Sequence, residues 1–188
     1  FGEYRLATDE ELEEEGYEEV LKHYGASGDK FLGGENLIEN LAYKVFEYNQ
    51  NQCREKHIQF TCPLDAVRFP GSEMLINHSW IAKANTTVLM SALRPLWVEY
   101  GKYEKEEDIL ENLDEKGLSL TLFDNEGNPR EEYFELPFVA LKTFLSDRVY
   151  KGIKAFFSAM KEAFNKQGKK PEKINILLAG NASNSVLV

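Results

Sequence analysis

Residues 28–37 read Gly28-Asp29-Lys30-Phe31-Leu32-Gly33-Gly34-Glu35-Asn36-Leu37, a glycine-rich turn that passes directly into a helical pattern. A helix is predicted from Glu35 to about Asn49, because apolar residues recur there at helical spacing. These residues are Leu37, Leu41, Val45 and Phe46. Glycine allows a ligand to approach the backbone closely, and the free N–H groups at a helix start bind anions. The stretch predicts an anion-binding turn, although many glycine-rich turns are only turns.

The segments on either side of this turn predict further helices and one strand. Phe1 to Ala7 is predicted as a strand, and the acidic run from Asp9 to Glu19 as a helix. The apolar side of that helix is expected to hold Leu12, Val20, Leu21 and Tyr24. A long helix with a buried side that includes two tryptophans is predicted over Ser72 to Tyr100, kinked or divided at Pro95. A charged helix is predicted over Lys102 to Leu113.

The second half of the chain predicts a hairpin, a long helix and a buried strand. Gly117 to Leu122 and Arg130 to Leu136 are separated by a loop dense in turn formers, which is typical of a β-hairpin. Phe138 to Phe164 is strongly amphipathic and predicts a helix. The continuous apolar run from Ile174 to Ala179 predicts a buried parallel strand. The fold class is therefore α+β, with α/β character at the last strand.

Composition limits the possible functions. The net charge of -10 argues against a nucleic-acid surface and against anionic membranes, because such binding depends on Lys and Arg. Two cysteines are too few for a disulfide framework, and the three histidines stand far apart, so no metal site is predicted. No stretch approaches ~20 apolar residues and no signal peptide opens the chain, which predicts a cytoplasmic protein.

Both ends of the chain predict a boundary inside a longer protein, since it begins at Phe1 and stops at Val188 just after a strand-like run. We expect a single domain fragment of 188 residues. Its predicted parts are a strand, acidic helix and glycine-rich turn (1–34), a helical part (35–116), a hairpin (117–136), a long helix (137–167), and a last strand and turn (174–188).

Two motifs carry a resemblance to a known family. The quoted segment resembles the Gly-Asp-x-x-Leu-Gly-Gly-Glu stretch of DnaK-type (heat shock protein 70) ATPase domains. Leu178-Ala179-Gly180-Asn181-Ala182-Ser183 is similar to the adenosine motif of that family, a strand followed by Gly-Gly-Ser-Thr/Ser-Arg. The elements between the two motifs also come in the family's order. Two motifs in the right order are stronger support than either motif alone.

The resemblance implies an actin-like ATPase fold. The chain would form the upper subdomain of the second lobe, with helices packed on a small antiparallel sheet, plus edges of the lower subdomain. Gly33, Gly34 and Glu35 would lie near the ribose or phosphates of ATP or ADP, which the full-length protein would bind with Mg²⁺. The residues that would surround the nucleoside are Gly180, Asn181, Ala182 and Asn184.

The sequence departs from the family in four respects. Asn181 replaces the second glycine of the adenosine motif, and Asn184 stands where the family has the arginine that lies over adenine. The cation–π contribution is then absent, so adenine affinity should be weaker or base choice different. The span between the motifs is longer than usual, with Lys102 to Lys116 the expected insertion. The family's phosphate loops and first-lobe lysine are missing, so this fragment should not hydrolyse ATP.

Three functions are compatible with these observations. The first is a chaperone-like ATP switch with nucleotide-exchange or client proteins as partners. The second is another actin-like ATPase, such as a sugar-type kinase or a reactivating factor, since the adenosine turn is shared across that superfamily. The third is a stand-alone interaction module whose acidic helix binds a basic partner. The Gly-Asp-x-x-Leu-Gly-Gly-Glu segment favours the first.

Overall fold

The structure, a computed structural model, describes residues 1–98, 117–168 and 170–177. In this part of the chain it contains five α-helices and two antiparallel two-stranded sheets, so the mixed α+β class is confirmed. The strands are β1 (Gly2–Leu6), β2 (Glu19–His23), β3 (Gly117–Phe123) and β4 (Pro129–Glu135). The helices are α1 (Asp9–Glu15), α2 (Gly34–Tyr48), α3 (Gln50–Glu55), α4 (Trp80–Val98) and α5 (Phe138–Lys166), with a 3₁₀ turn at Ser72–Met74. None of these helices is both long and apolar enough to cross a membrane.

The chain divides into two compact units. The hairpin unit comprises residues 1–29 and 150–177, and the core unit comprises the described residues between 30 and 149. In the hairpin unit β1 pairs with β2 in antiparallel register, with Tyr4 opposite Leu21. The second half of α5 packs in the same unit, where the ring of Phe156 lies 5.2 Å from that of Phe1. The predicted first strand is thus confirmed.

The acidic helix is shorter than the sequence predicts. Its N-cap residue is Thr8. The Thr8 side chain accepts from the Glu11 N–H, and the Glu11 side chain accepts from the Thr8 N–H, which is a reciprocal capping box. It ends at Gly16, which adopts a left-handed conformation (φ 73°) and donates its N–H to the Leu12 carbonyl. The prediction that the helix extends to Glu19 and carries the next apolar residues was wrong. Those residues, Val20, Leu21 and Tyr24, lie in β2 or directly after it.

The core unit packs α2 and α4 against the β3–β4 hairpin. The apolar stripe predicted on α2 is buried, with Val45 and Phe46 fully enclosed. Phe46 is also the centre of an aromatic cluster, since its ring centroid lies 4.7 Å from that of Phe60 and 5.3 Å from that of Phe69. The hairpin closes this core with Phe134, whose ring lies 6.0 Å from Phe60. Burial of these side chains supplies the main favourable free energy of the unit.

Two buried asparagines hold the outer edges of the hairpin. Asn85 of α4 accepts a hydrogen bond from the Phe123 N–H (2.8 Å) and donates to the Phe123 carbonyl (2.8 Å). Asn49, which follows α2, does the same at the other end of the hairpin, with the N–H (3.0 Å) and carbonyl (2.9 Å) of Glu135. Asn85 also donates to the carbonyl of Gln59 at 3.0 Å. We call these contacts the two asparagine clamps.

The long helix predicted over Ser72 to Tyr100 begins eight residues later, at Trp80. The residues before it form the 3₁₀ turn and a bridge in which the Phe60 N–H binds the carbonyl of Leu75 at 3.0 Å. The side chain of Asn77 accepts a hydrogen bond from the Ser79 N–H (2.7 Å), which stabilises the turn that leads into α4. Trp80, predicted as buried, is 69% exposed. Pro95 lies inside α4 and does not divide it.

The hairpin and the long helix after it are confirmed, whereas the last strand is not. Residues 174–177 adopt no strand, and Ile174 (47%) and Leu177 (94%) are exposed, so the prediction of a buried strand is wrong for this part. A parallel strand needs a sheet to join, and the two described sheets each contain only their own two antiparallel strands. Residues 178–188 and the predicted charged helix at 102–113 lie outside the described residues.

The asparagine clamps predict a large loss of stability when one is removed. Asn85→Ala leaves the N–H and carbonyl of Phe123 and the carbonyl of Gln59 without their buried partner, so we expect the free energy of unfolding to fall by about 3 kcal/mol. Urea titration followed by circular dichroism measures this change. The exposed Asn51→Ala serves as the matched control and should stay within about 0.5 kcal/mol. Equal losses in the two variants would contradict the role given to Asn85.

The turn between β3 and β4 predicts a pH dependence. Asp124 accepts hydrogen bonds from the Asn128 N–H (2.9 Å) and from Arg130 (2.8 Å), and these lower its pKa from 3.8 to about 2. Because the pKa is depressed in the folded state, this stabilisation is present above about pH 4 and is lost as the pH falls towards 2. Acid titration of stability should therefore be steeper for the wild type than for Asp124→Asn between these values. Parallel curves would show that Asp124 does not contribute.

Candidate functional site

The predicted phosphate turn lies at the N-terminus of α2. Gly33 is the N-cap residue, in an ordinary extended conformation (φ −65°, ψ 147°), and its carbonyl accepts the first helical hydrogen bond from the Leu37 N–H at 3.0 Å. A Cβ atom added at Gly33 would meet no atom within 4 Å. Neither backbone conformation nor crowding therefore requires glycine here. Because Gly33 has no side chain, it leaves the backbone at the start of α2 uncovered.

The first N–H groups of α2 are available to an external acceptor. The opening N–H groups of any α-helix have no intrahelical partner, and in the described part of the chain the N-cap residue Gly33 gives them no side-chain hydrogen bond. The aligned peptide dipoles add a partial positive charge at this end of the helix. The start of α2 at Gly34 and Glu35 thus has the geometry with which helix N-termini of other proteins bind anions.

Glu35 is held by an arginine from α4. Both carboxylate oxygens accept hydrogen bonds from Arg94, at 2.6 and 3.0 Å. This bidentate contact lowers the pKa of the Glu35 carboxyl, which is therefore ionised at neutral pH. The two side chains are exposed, so the ion pair faces solvent beside the start of the helix. Each carboxylate oxygen retains one further lone pair that can accept a hydrogen bond from a hydroxyl group.

A second polar cluster fixes the turn on its other side. Asp65 accepts hydrogen bonds from Asn36 (3.2 Å) and Asn40 (3.0 Å) of α2, and from Arg148 of α5 (3.2 Å). Arg148 also donates to the carbonyl of Phe31 at 2.8 Å. Burial tends to raise the pKa of Asp65, but the two asparagines and the arginine outweigh it and the pKa is lowered. The cluster ties the residues just before α2 to the rest of the core unit.

The charges around the turn nearly balance. Arg94 neutralises Glu35, and Arg148 neutralises Asp65. Glu39 lies close by with its pKa raised, first by burial and then by the charge of Asp65. A phosphate would therefore be attracted by the backbone N–H groups and not by a local excess of cations. Such a turn can supply part of a nucleotide site, since the remaining contacts would have to come from other elements.

Of the predicted site residues, the structure describes the first group. Gly33, Gly34 and Glu35 are contiguous at the start of α2. The second group, Gly180, Asn181, Ala182 and Asn184, lies outside the described residues. Their meeting with the first group stays a prediction.

Three residues of the site were not predicted from the sequence. Arg94 lies 59 positions from Glu35, Asp65 lies 25 positions from Asn40, and Arg148 lies 117 positions from Phe31. No local pattern marks such partners. The one usable signal was the i, i+4 spacing of Asn36 and Asn40, which places two amides on the same helix face.

Neither metal binding nor thiol chemistry is indicated in the part of the chain that the structure describes. It contains no group of three or more His, Cys, Asp or Glu side chains arranged to hold a metal ion. Cys53 and Cys62 are free thiols. Burial raises the pKa of Cys53, which makes that thiol unreactive at neutral pH.

Comparisons of the chain with protein-family models, with curated proteins and with solved structures returned no match. The function of the turn is therefore inferred from two of its own features. These are the uncapped start of α2 and the carboxylate of Glu35 beside it.

The ion pair beside the turn predicts a measurable change in one pKa. Arg94→Ala removes the bidentate contact, so the pKa of Glu35 should rise towards the ordinary glutamate value. Carboxyl-detected NMR titration measures it, with Arg54→Ala as a control that leaves the Glu35 pKa unchanged. Because both partners are exposed, stability should change by less than about 1 kcal/mol. An unaltered Glu35 pKa in Arg94→Ala would mean that the ion pair does not form in solution.

Proposed function

We propose that this chain is part of the nucleotide-binding domain of a DnaK-like chaperone ATPase, and that its turn at Gly33–Glu35 contacts the ribose or phosphates of the nucleotide. The observation that carries the proposal is the open, uncapped start of α2 at Gly33, which coincides with the Leu-Gly-Gly-Glu part of the motif. This backbone would be accessible to a ligand.

The arrangement of the core unit supports this proposal. Two helices, α2 and α4, pack against an antiparallel hairpin, and α5 follows the hairpin in sequence. This is the order of elements expected for the upper subdomain of the second lobe of an actin-like ATPase. Under the proposal that subdomain moves when nucleotide binds, and exchange factors or client proteins respond in a cytoplasmic setting.

The chemistry available at the turn fits a ribose or phosphate group better than a base. The N–H groups at the start of α2 would donate to phosphate oxygens or to ribose hydroxyl oxygens. The Glu35 carboxylate can still accept from ribose hydroxyls while Arg94 holds it. ATP or ADP with Mg²⁺ would supply the phosphates in the full-length protein. Hydrolysis is not assigned to this chain, and its contribution is to hold and orient.

The proposal predicts that a methyl group on Gly33 blocks the ligand without disturbing the fold. Neither Gly33 nor Gly28 has a positive φ, and a Cβ atom at either position would meet no atom within 4 Å. Gly33→Ala should therefore keep the stability of the wild type but weaken nucleotide binding at least tenfold, whereas the matched Gly28→Ala should leave both unchanged. Amide NMR titration with MgATP measures affinity and location together, with shifts expected at Gly33 to Glu35.

The expected affinity of this chain alone is low. Half of the contacts would be missing, so the dissociation constant should be about 1 mM or weaker. Calorimetry of the full-length protein with ATP and Mg²⁺ should give clear heat. Amide shifts confined to other residues, or equal binding by Gly33→Ala and Gly28→Ala, would contradict a role of the turn in nucleotide binding. An absence of heat from the full-length protein would contradict the proposal that it is an ATPase.

A further inference from the structure

An apolar and basic stripe runs along the exposed side of α5 in the hairpin unit. We define the α5 stripe as Tyr150, Ile153, Lys154, Phe157, Ser158 and Lys161, which line one shallow groove. Its apolar members are exposed: Tyr150 by 67%, Ile153 by 38% and Phe157 by 44%. Lys154 and Lys161 stand one turn before and one turn after Phe157 on the same helix face. Large exposed apolar residues grouped in this way indicate a contact surface.

The other side of α5 already has its partners. Phe156 packs on Phe1, Phe164 packs on Tyr24, and Met160 is buried. The hairpin unit therefore uses one face of the helix for its own folding. Within the described residues the groove is lined by α5 alone, so the stripe remains open to a second molecule.

Helix α1 has the complementary character. It carries five exposed carboxylates besides Glu11, and its apolar residue Leu12 is 47% exposed. Glu11 is bound by Arg5 through two hydrogen bonds of 2.7 Å, which hold α1 on its own hairpin. The exposed carboxylates are Asp9, Glu10, Glu13, Glu14 and Glu15. Their mutual repulsion within seven residues would be relieved by lysines from another chain.

We propose that α1 of one copy docks on the α5 stripe of a second copy. Leu12 would pack on Phe157 and Ile153, while carboxylates on either side of Leu12 would approach Lys154 and Lys161. The dimensions agree, since the seven residues of α1 and the separation of the two lysines each span about 10.5 Å. Every copy carries both surfaces, so two such contacts can form around a two-fold axis.

Charge favours this pairing over an α5–α5 contact. Two α5 stripes facing each other would bring four lysines together, because the stripe itself contains Lys154 and Lys161 and no carboxylate. An α1–α5 contact pairs opposite charges around an apolar centre. The contact is small, so the dimer should be weak, with a dissociation constant of about 100 µM.

Charge reversal provides the test. Sedimentation velocity across about 10 to 500 µM should show reversible dimers of the wild type. The double variant Lys154→Glu/Lys161→Glu should raise the dissociation constant at least tenfold. Its matched control is Lys56→Glu/Lys83→Glu, which alters two exposed lysines of the core unit and changes the net charge equally, from -10 to -14. The control should dimerise within about threefold of the wild type, a margin of about 0.65 kcal/mol.

A compensating variant makes the test specific for this contact. The variant Asp9→Lys/Glu15→Lys leaves the capping box intact and reverses the two carboxylates that lie one turn before and one turn after Leu12 on the same helix face. Alone it should weaken the dimer. Combined with Lys154→Glu/Lys161→Glu it returns the net charge to -10 and should restore dimerisation. A wild type that stays monomeric, or a combined variant that stays as weak as the single pairs, would overturn the proposal. Circular dichroism confirms that each variant is folded, and Asp9→Lys/Glu15→Lys tests the same contact if the α5 variant is not.

Discussion

The two asparagine clamps are the constraint on which the core unit depends. A two-stranded hairpin exposes unpaired backbone groups along both outer edges, and an isolated hairpin is marginally stable. Asn85 and Asn49 each satisfy the N–H and the carbonyl of one edge residue, on β3 and β4 respectively. Because one asparagine belongs to α4 and the other follows α2, hydrogen bonding of the hairpin and packing of the two helices form together. The start of α2 is thereby fixed at one end of a well-packed unit.

The polar contacts around Gly33 hold the turn in place but leave its backbone uncovered among the described residues. Asp65 and Arg148 hold the residues just before and within the first turns of α2, and Arg94 holds Glu35. All of these contacts are made by side chains, and among the described residues none of them uses the first N–H groups of α2. The balance of charges means that binding there would be specific in direction but weak in strength.

Prediction from the sequence succeeded where local periodicity coincided with burial. Val45 and Phe46 recur at helical spacing and are buried, and the hairpin was marked by its turn formers. It failed where tertiary partners decided the outcome. Val20 was predicted on the acidic helix but lies in β2, because β1 pairs with it. Ile174 was predicted in a buried strand but is exposed, and no described strand pairs with it. The partners of the site, above all Arg94, lie too far away in sequence to be predicted from any local pattern.

Burial of Asn85 has one more consequence, which concerns glycosylation. Asn85-Thr86-Thr87 has the Asn-x-Thr pattern that oligosaccharyltransferase modifies in the secretory pathway. In the folded chain this asparagine has no exposed surface, and its amide nitrogen donates to Gln59 and Phe123. A sugar attached there during translocation would occupy the space of the hairpin edge. Glycan attachment and the native core are therefore mutually exclusive at this position.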